Sequence, residues 1–170
     1  YLAADGGVGT PFRVSPAGKT AVDPMVVSIP TGAFAFAFSD YHQVLVGAVE
    51  AGSTTVTVLG VPPSGTYGAP GGYAFLPTSR GALFVLSTST TRTVIAHSVT
   101  PNATSLLLSS PVTVSLGAEL TADPTVAKVG QDLLFVFGQR NPSANELQAQ
   151  LRVHQPEPVG ATCVGDWQCA

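Results

Sequence analysis

The sequence has few charged side chains, and this shortage limits the partners it can bind. Only 10% of its 170 residues are Asp, Glu, Lys or Arg, whereas about a quarter is usual in soluble domains. The seven Lys and Arg residues are scattered singly along the chain, and the net charge is -3. Nucleic acid and anionic membranes bind surfaces with clustered positive charge. We therefore expect neither as a partner.

Long helices and membrane-spanning runs are also missing from the sequence. No apolar run approaches the roughly 18 residues that cross a bilayer, so we expect no membrane insertion. The 18 Gly and 14 Pro residues interrupt most helical patterns. One helix candidate covers residues 144–151, with Ser143 as a possible cap and a strand as the alternative. Val, Thr, Ser and Phe fill most other runs, which favours an all-β fold with one substantial core.

Cysteine is scarce, because only Cys163 and Cys169 are present, both within the last eight residues. A zinc site needs further ligands, so the two cysteines do not indicate a metal site. We expect no metal and no other cofactor. The two cysteines either form a local disulfide or pair with cysteines beyond Ala170, and both alternatives indicate an oxidising compartment. The sequence begins at Tyr1 rather than Met, within a repeated pattern. We expect a piece of a longer, exported chain.

Three segments of the chain share one order of features. Each opens with a short alternating run, at residues 12–15, 55–58 and 112–115. A turn follows, and then a dipeptide that ends in proline: Asp23-Pro24, Ala69-Pro70 or Asp123-Pro124. The next turn contains Gly32, Gly81 or Gly130. A strongly apolar run follows it, at residues 33–38, 82–86 and 133–137. A third run completes each segment, at residues 44–49, 93–99 and 147–153. The pattern therefore predicts four short strands in each unit.

The period of this repeat indicates the architecture. The apolar runs end at Phe38, Leu86 and Phe137, which are 48 and then 51 residues apart, close to the roughly 40 to 50 residues of a propeller blade. We predict a partial β-propeller of about three four-stranded blades, with a β-sandwich as the alternative. The blade-like units are residues 10–60, 61–115 and 116–154 of a region 1–154, followed by a Pro-containing linker and the start of a cysteine-rich tail at 155–170.

The third unit shows no fourth alternating run after Val153. In many propellers a strand from the far end of the domain completes the last blade and removes an open edge. We therefore expect the missing strand of this unit to come from upstream in the chain.

The order of turn, Asp-Pro, apolar step, glycine and hydrophobic strand over residues 10–154 resembles the propeller repeats of large bacterial secreted or cell-surface proteins. The tail at residues 162–169 is similar to the start of the cysteine-rich segments in such proteins. The resemblance implies a secreted or surface protein that binds or scaffolds a protein or carbohydrate partner.

Glycoside hydrolysis is the alternative function, because it needs two carboxyl groups that face each other across a cleft. Asp23 and Asp123 are the candidates for this chemistry. Their recurrence at equivalent places favours a structural role instead, in which Asp accepts hydrogen bonds from turn amides and Pro24 or Pro124 fixes φ. No Gly-x-Ser-x-Gly nucleophile motif is present in the sequence. We therefore predict no catalytic residues and keep a fragment of a glycosidase-like propeller enzyme as the alternative.

Binding candidates are chosen on residue type alone. Aromatic and histidine side chains in Gly-rich loops can stack on sugars or anchor a protein partner, and they can equally cap the blades. The candidate contacts are Tyr41, His42, Tyr67, Tyr73 and Trp167.

Overall fold

The computed structural model describes residues 10–40, 43–56, 58–60, 72–88, 93–101, 106–115, 121–130, 132–141 and 146–154. These ranges hold twelve strands and no helix, so the all-β prediction is confirmed. No helix that could span a membrane occurs in them. The strands are β1 Val22–Ser28, β2 Ala33–Ser39, β3 Val44–Glu50, β4 Val58–Gly60, β5 Tyr73–Pro77, β6 Ala82–Thr88, β7 Thr93–Pro101, β8 Leu106–Leu108, β9 Val112–Thr113, β10 Thr121–Val129, β11 Asp132–Asn141 and β12 Glu146–His154.

The strands form three antiparallel sheets, each built from one continuous part of the chain. Sheet 1 has the order β1-β2-β3-β4. Sheet 2 has the order β5-β6-β7-β8, with β9 also paired to β7, and sheet 3 has the order β10-β11-β12. In the helix candidate at 144–151, residues 146–151 belong to β12, so the strand alternative is correct. The long hairpin explains this, since β12 pairs with β11 from Asn141↔Glu146 to Leu133↔His154.

The two faces of β2 differ in size because its sequence alternates Ala and Phe and a strand points successive side chains to opposite faces. Ala33, Ala35 and Ala37 are buried in a core shared with sheet 2. Phe36 and Phe38 lie in a separate cluster with Leu45, on the face away from sheet 2. Sheet 1 therefore has a small-residue face and a large-residue face.

Sheet 2 also packs through both of its faces. Phe84 and Leu86 of β6 pack against the small-residue face of sheet 1. The alternate residues of β6, Leu83 and Val85, join a second core with Phe135 and other residues of sheet 3. The sheets are therefore stacked in the order 1, 2, 3, with sheet 2 between the other two.

The alternating run at residues 12–15 was predicted to be a strand, and it is not one. The structure assigns no strand to these residues. The Arg13 side chain instead organises the segment, because Nε donates to Ser15 Oγ at 2.9 Å and Nη2 donates to the Pro16 carbonyl at 2.9 Å. Lys19 then anchors it to sheet 1 through a 2.9 Å ion pair with Asp40. An alternating sequence forms a strand only beside a neighbour that supplies ladder hydrogen bonds.

Candidate functional site at the first strands of the sheets

The Asp-Pro step of sheet 1 forms a β-bulge. Val22 pairs with Ser39 and Met25 pairs with Ala37, so both Asp23 and Pro24 lie opposite the single residue Phe38. Such a bulge adds one residue to a strand and bends it locally.

Sheet 3 repeats this bulge about one hundred residues later. Ala122 pairs with Gly138 and Thr125 pairs with Val136, so Asp123 and Pro124 together lie opposite Phe137. The two bulges occupy the same position of the first strand in their sheets. The recurrence of Asp-Pro in the sequence therefore corresponds to a recurrence of backbone geometry.

Both aspartates adopt left-handed backbone conformations, with φ of 50° for Asp23 and 48° for Asp123. They are the only non-glycine residues with positive φ in the part of the chain that the structure describes. This region costs most L-residues about 1 to 2 kcal/mol, and Asp and Asn tolerate it best because their short side chains can bond locally. The bulge accounts for the choice of Asp without reference to catalysis.

Sheet 2 has no bulge at the corresponding place. Tyr73 alone pairs with Leu86, and the Ser87 amide donates to the Gly72 carbonyl at 3.2 Å. The residue opposite Leu86 is therefore Tyr73, whereas Ala69 and Pro70 lie outside the described residues.

Tyr73 joins sheet 2 to the bulge of sheet 1. It is buried, and its ring lies 6.0 Å from that of Phe84. Its hydroxyl group donates to the backbone carbonyl of Asp23 and, at 3.4 Å, to that of Val22. Burial and, to a lesser extent, the negative charge of Asp23 raise the pKa of Tyr73 to about 12. The hydroxyl is therefore a proton donor throughout the neutral pH range.

Gly72 brings sheet 2 against the bulge of sheet 3. Its φ is 84°, and a Cβ added there would lie 2.8 Å from Asp123 Cα and 2.9 Å from Asp123 Oδ1. No side chain fits between these strands. The first strands of all three sheets therefore meet at one place.

A cavity of about 360 Å³ opens at this junction, and both bulge aspartates line it. Its lining residues are Asp23, Pro24, Met25, Gly72, Tyr73 and Asp123. Only Tyr73 was selected from the sequence as a binding residue and is also found here. Gly72 was not selected, although the Gly71-Gly72 pair directly before an apolar run signals close approach of the backbone.

The remaining predicted site residues lie outside the described residues: Tyr41, His42, Tyr67, Trp167, Cys163 and Cys169. The residues on either side of Tyr41 and His42 are described and contact each other. Asp40 accepts hydrogen bonds from the Gln43 amide at 2.9 Å and from Gln43 Nε2 at 3.2 Å. Since Ser39 pairs with Val22, the neighbouring Asp40 follows β2 at the end of sheet 1 where the Asp23 bulge lies.

Two buried polar side chains were not among the binding residues predicted from the sequence. Asp40 is buried beside Lys19, and His97 on β7 is fully buried between sheets 1 and 2. His97 Nδ1 lies 2.9 Å from the Ser109 carbonyl, while Nε2 has no hydrogen-bond partner among the described residues. Burial lowers the pKa of His97, so the neutral form with its proton on Nδ1 fits this site.

Comparisons with known proteins found no family model, no curated protein and no solved structure that matches this chain.

Proposed function

We propose that this chain forms successive blades of a β-propeller that acts outside the cell as a non-catalytic binding or scaffolding module. Two observations support the propeller: each sheet comes from one continuous segment, and the sheets stack face to face in chain order. The bulged first strands of such blades would line the central channel of the ring.

The shared bulge is the observation that best supports the non-catalytic role. Asp23 and Asp123 have the same backbone conformation at the same position of two sheets. A catalytic residue is needed once, whereas a structural device can recur, and this bulge recurs in two of the three sheets. The contacts of Tyr73 and Gly72 with these two residues make the junction a part of the packing between sheets.

One observation favours the second candidate, a carbohydrate-active propeller enzyme. Asp23 and Asp123 line one cavity, with the Tyr73 hydroxyl group beside the Asp23 backbone. Glycosidases place two carboxyl groups in this general way around the bond that is cleaved.

Two substitutions at one position separate the candidates. Asp123→Asn removes the acid but keeps a residue that tolerates positive φ, whereas Asp123→Ala removes both properties. For a scaffold we expect Asp123→Asn to unfold like the unsubstituted protein, and Asp123→Ala to lose about 1 to 2 kcal/mol in denaturant titrations. We also expect no release of nitrophenol from a panel of nitrophenyl glycosides.

Hydrolysis by the unsubstituted protein that Asp123→Asn abolishes without a change in stability would overturn the scaffold and establish the enzyme. Asp23→Asn and Asp23→Ala repeat the comparison at the second bulge. Retention on immobilised chitin, cellulose or mannan, without hydrolysis, would identify a carbohydrate as the bound partner.

A further inference from the structure

The peptide bond between Asp23 and Pro24 lies in a strained part of the backbone. Asp23 has a φ of 50°, a conformation that is unfavourable for L-residues. Pro24 adds to the strain, because a residue before proline prefers an extended φ of about −120°. Cleavage of this bond would release the strain, and strained backbone of this kind can form part of a mechanism.

The carbonyl group of this peptide bond accepts a hydrogen bond from a buried hydroxyl group. Tyr73 of sheet 2 donates to the Asp23 carbonyl oxygen, and its hydroxyl oxygen lies 3.4 Å from the Val22 carbonyl oxygen. A backbone hydrogen bond from Ser39 reaches the same hydroxyl group. Because Tyr73 is buried and its ring packs on Phe84, the donor is held in place. Fixed donors of this kind stabilise the negative charge that develops on a carbonyl oxygen when its carbon is attacked.

The side chain of Asp23 supplies a nucleophile within the same residue. Its carboxylate lies close enough to the Tyr73 hydroxyl group for its charge to contribute to the raised pKa of Tyr73. Attack by this carboxylate on the carbonyl carbon of its own residue closes a small ring, and such intramolecular reactions are much faster than attack by a separate molecule. Asp23 and Pro24 are exposed and line the cavity of about 360 Å³. Water therefore reaches the bond.

The equivalent bond between Asp123 and Pro124 lies against a glycine of sheet 2 instead of a tyrosine. Asp123 has nearly the same φ, 48°, in the same kind of bulge. Its neighbour is Gly72, which has no side chain, and a Cβ there would lie 2.8 Å from Asp123 Cα. The two Asp-Pro bonds therefore share the strained backbone and the carboxylate, and the contact with Tyr73 distinguishes them.

We propose that the Asp23–Pro24 peptide bond is a self-cleavage site, at which Asp23 is the nucleophile and Tyr73 stabilises the oxyanion. This activity goes beyond the proposed function and does not depend on it. A carboxylate oxygen of Asp23 bonds to the carbonyl carbon of Asp23, and the Tyr73 hydroxyl group stabilises the resulting oxyanion. The oxyanion then collapses and the C–N bond breaks. Its electron pair stays on the Pro24 nitrogen, which takes protons from solvent and leaves as a secondary ammonium group.

A water molecule completes the reaction. The first step leaves a cyclic anhydride formed by the two carboxyl groups of Asp23. The water oxygen bonds to one carbonyl carbon of this anhydride, the anhydride C–O bond breaks, and the protons return to solvent. Asp23 then carries its side-chain carboxylate and a new α-carboxylate. The sum is hydrolysis of one peptide bond by one water molecule, with no oxidant or reductant.

The cleaved protein should keep its fold, because both sides of the bond remain held. Val22 pairs with Ser39 before the bulge, and residues 25–28 pair with β2 after it. The ion pair between Lys19 and Asp40 also holds the first fragment. We therefore expect a nicked chain that places a new α-carboxylate and a new amino group at the cavity.

The first test follows the whole 170-residue chain by intact-mass spectrometry in mildly acidic buffer with protease inhibitors, while circular dichroism verifies the fold. Acid supplies the protons that the leaving nitrogen needs. We expect fragments 1–23 and 24–170, formed at a rate that does not depend on protein concentration. The Asp123–Pro124 bond in the same sample is the matched control, and its cleavage should be about 100-fold slower, a usual effect of one missing oxyanion donor. In guanidinium chloride the two bonds should be cleaved at similar rates, because the contact with Tyr73 is lost.

Two substitutions test the roles of the side chains. Tyr73→Phe keeps the ring and should slow cleavage after Asp23 about 100-fold, while cleavage after Asp123 stays unchanged. A tyrosine that only supports packing would give the opposite result, because a loosened bulge would be cleaved faster. Asp23→Asn keeps a residue that tolerates positive φ and should abolish cleavage at this bond. Excess hydroxylamine should trap the anhydride as a hydroxamate on fragment 1–23.

Three results would overturn the self-cleavage site. The first is an intact Asp23–Pro24 bond in the folded chain, and the second is equal cleavage of both Asp-Pro bonds in the folded chain. The third is faster cleavage after Asp23 in Tyr73→Phe. Cleavage that yields no hydroxamate in excess hydroxylamine would overturn the anhydride step.

Discussion

The hydroxyl group of Tyr73 in sheet 2 donates a hydrogen bond to the backbone carbonyl of Asp23 in sheet 1. This bond ties the buried start of β5 to the strained residue of the neighbouring bulge. It links packing between sheets to the backbone conformation that the bulge requires.

Tyr73→Phe should keep the ring in place and lower the free energy of unfolding by about 1 kcal/mol, the usual net contribution of one hydrogen bond. Denaturant titration at neutral pH measures this loss. Because the pKa of Tyr73 is raised from 10.0 to about 12 in the folded protein, its contribution is complete below pH 10 and is lost as the pH rises towards 12. Absorbance titration should show one late-ionising tyrosine that is absent from Tyr73→Phe. Four tyrosines that all titrate near 10 would contradict this assignment.

Gly81→Ala should be more damaging than Gly32→Ala, although both glycines precede the central strand of a sheet. A Cβ on Gly81 would overlap the backbone carbonyl of Val99, whereas Gly32 has free space around it and a φ of 89°. We expect the free energy of unfolding to fall by about 3 kcal/mol in Gly81→Ala because of the steric conflict. In Gly32→Ala it should fall by about 1 kcal/mol because of the strained backbone. Thermal unfolding of both variants gives the order of their stabilities. A less stable Gly32→Ala variant would show that Gly81 and the β7 backbone lie farther apart than described.

Protonation of His97 should destabilise the fold. Burial lowers the pKa of His97 in the native state, so the unfolded chain binds the proton more readily once the pH falls below about 6.5. The free energy of unfolding should therefore decrease from pH 7 downwards until the lower native pKa is reached. His97→Leu should reduce the slope of the free energy of unfolding against pH in this window. It should also lower stability at pH 8, because leucine cannot make the bond to Ser109. An unchanged slope would assign the pH dependence to other groups.

Lys19→Ala should release the segment at residues 10–20 from sheet 1. Lys19 Nζ lies 2.9 Å from the buried carboxylate of Asp40, and loss of a hydrogen bond to a charged group costs about 1.5 to 3 kcal/mol. Trypsin should then cleave after Arg13 at least about tenfold faster, the ratio that corresponds to about 1.4 kcal/mol. Lys128→Ala is the control, since Lys128 is exposed on β10. Equal cleavage rates in the two variants would mean that the ion pair does not hold the segment.

The central strands were predictable from the sequence because alternation and apolar content are local properties. Runs such as Ala33–Phe38 lie within strands, and the Asp23 and Asp123 steps occupy equivalent bulges. The position of Tyr73 was not predictable, since it depends on the register between β5 and β6 and on the missing bulge. Residues 12–15 were predicted as a strand and are not one, because their sequence does not say whether a partner strand lies alongside.

The alternation of Ala and Phe in β2 also bears on how sheet 1 reaches its correct pairing. A slip of one residue against β1 and β3 would exchange the two faces of the strand. Phe34, Phe36 and Phe38 would then enter the space against sheet 2 that Ala33, Ala35 and Ala37 now occupy. Such a misaligned hairpin could not dock onto Phe84 and Leu86. Docking of sheet 2 therefore favours the native alignment of β2 over an alignment shifted by one residue.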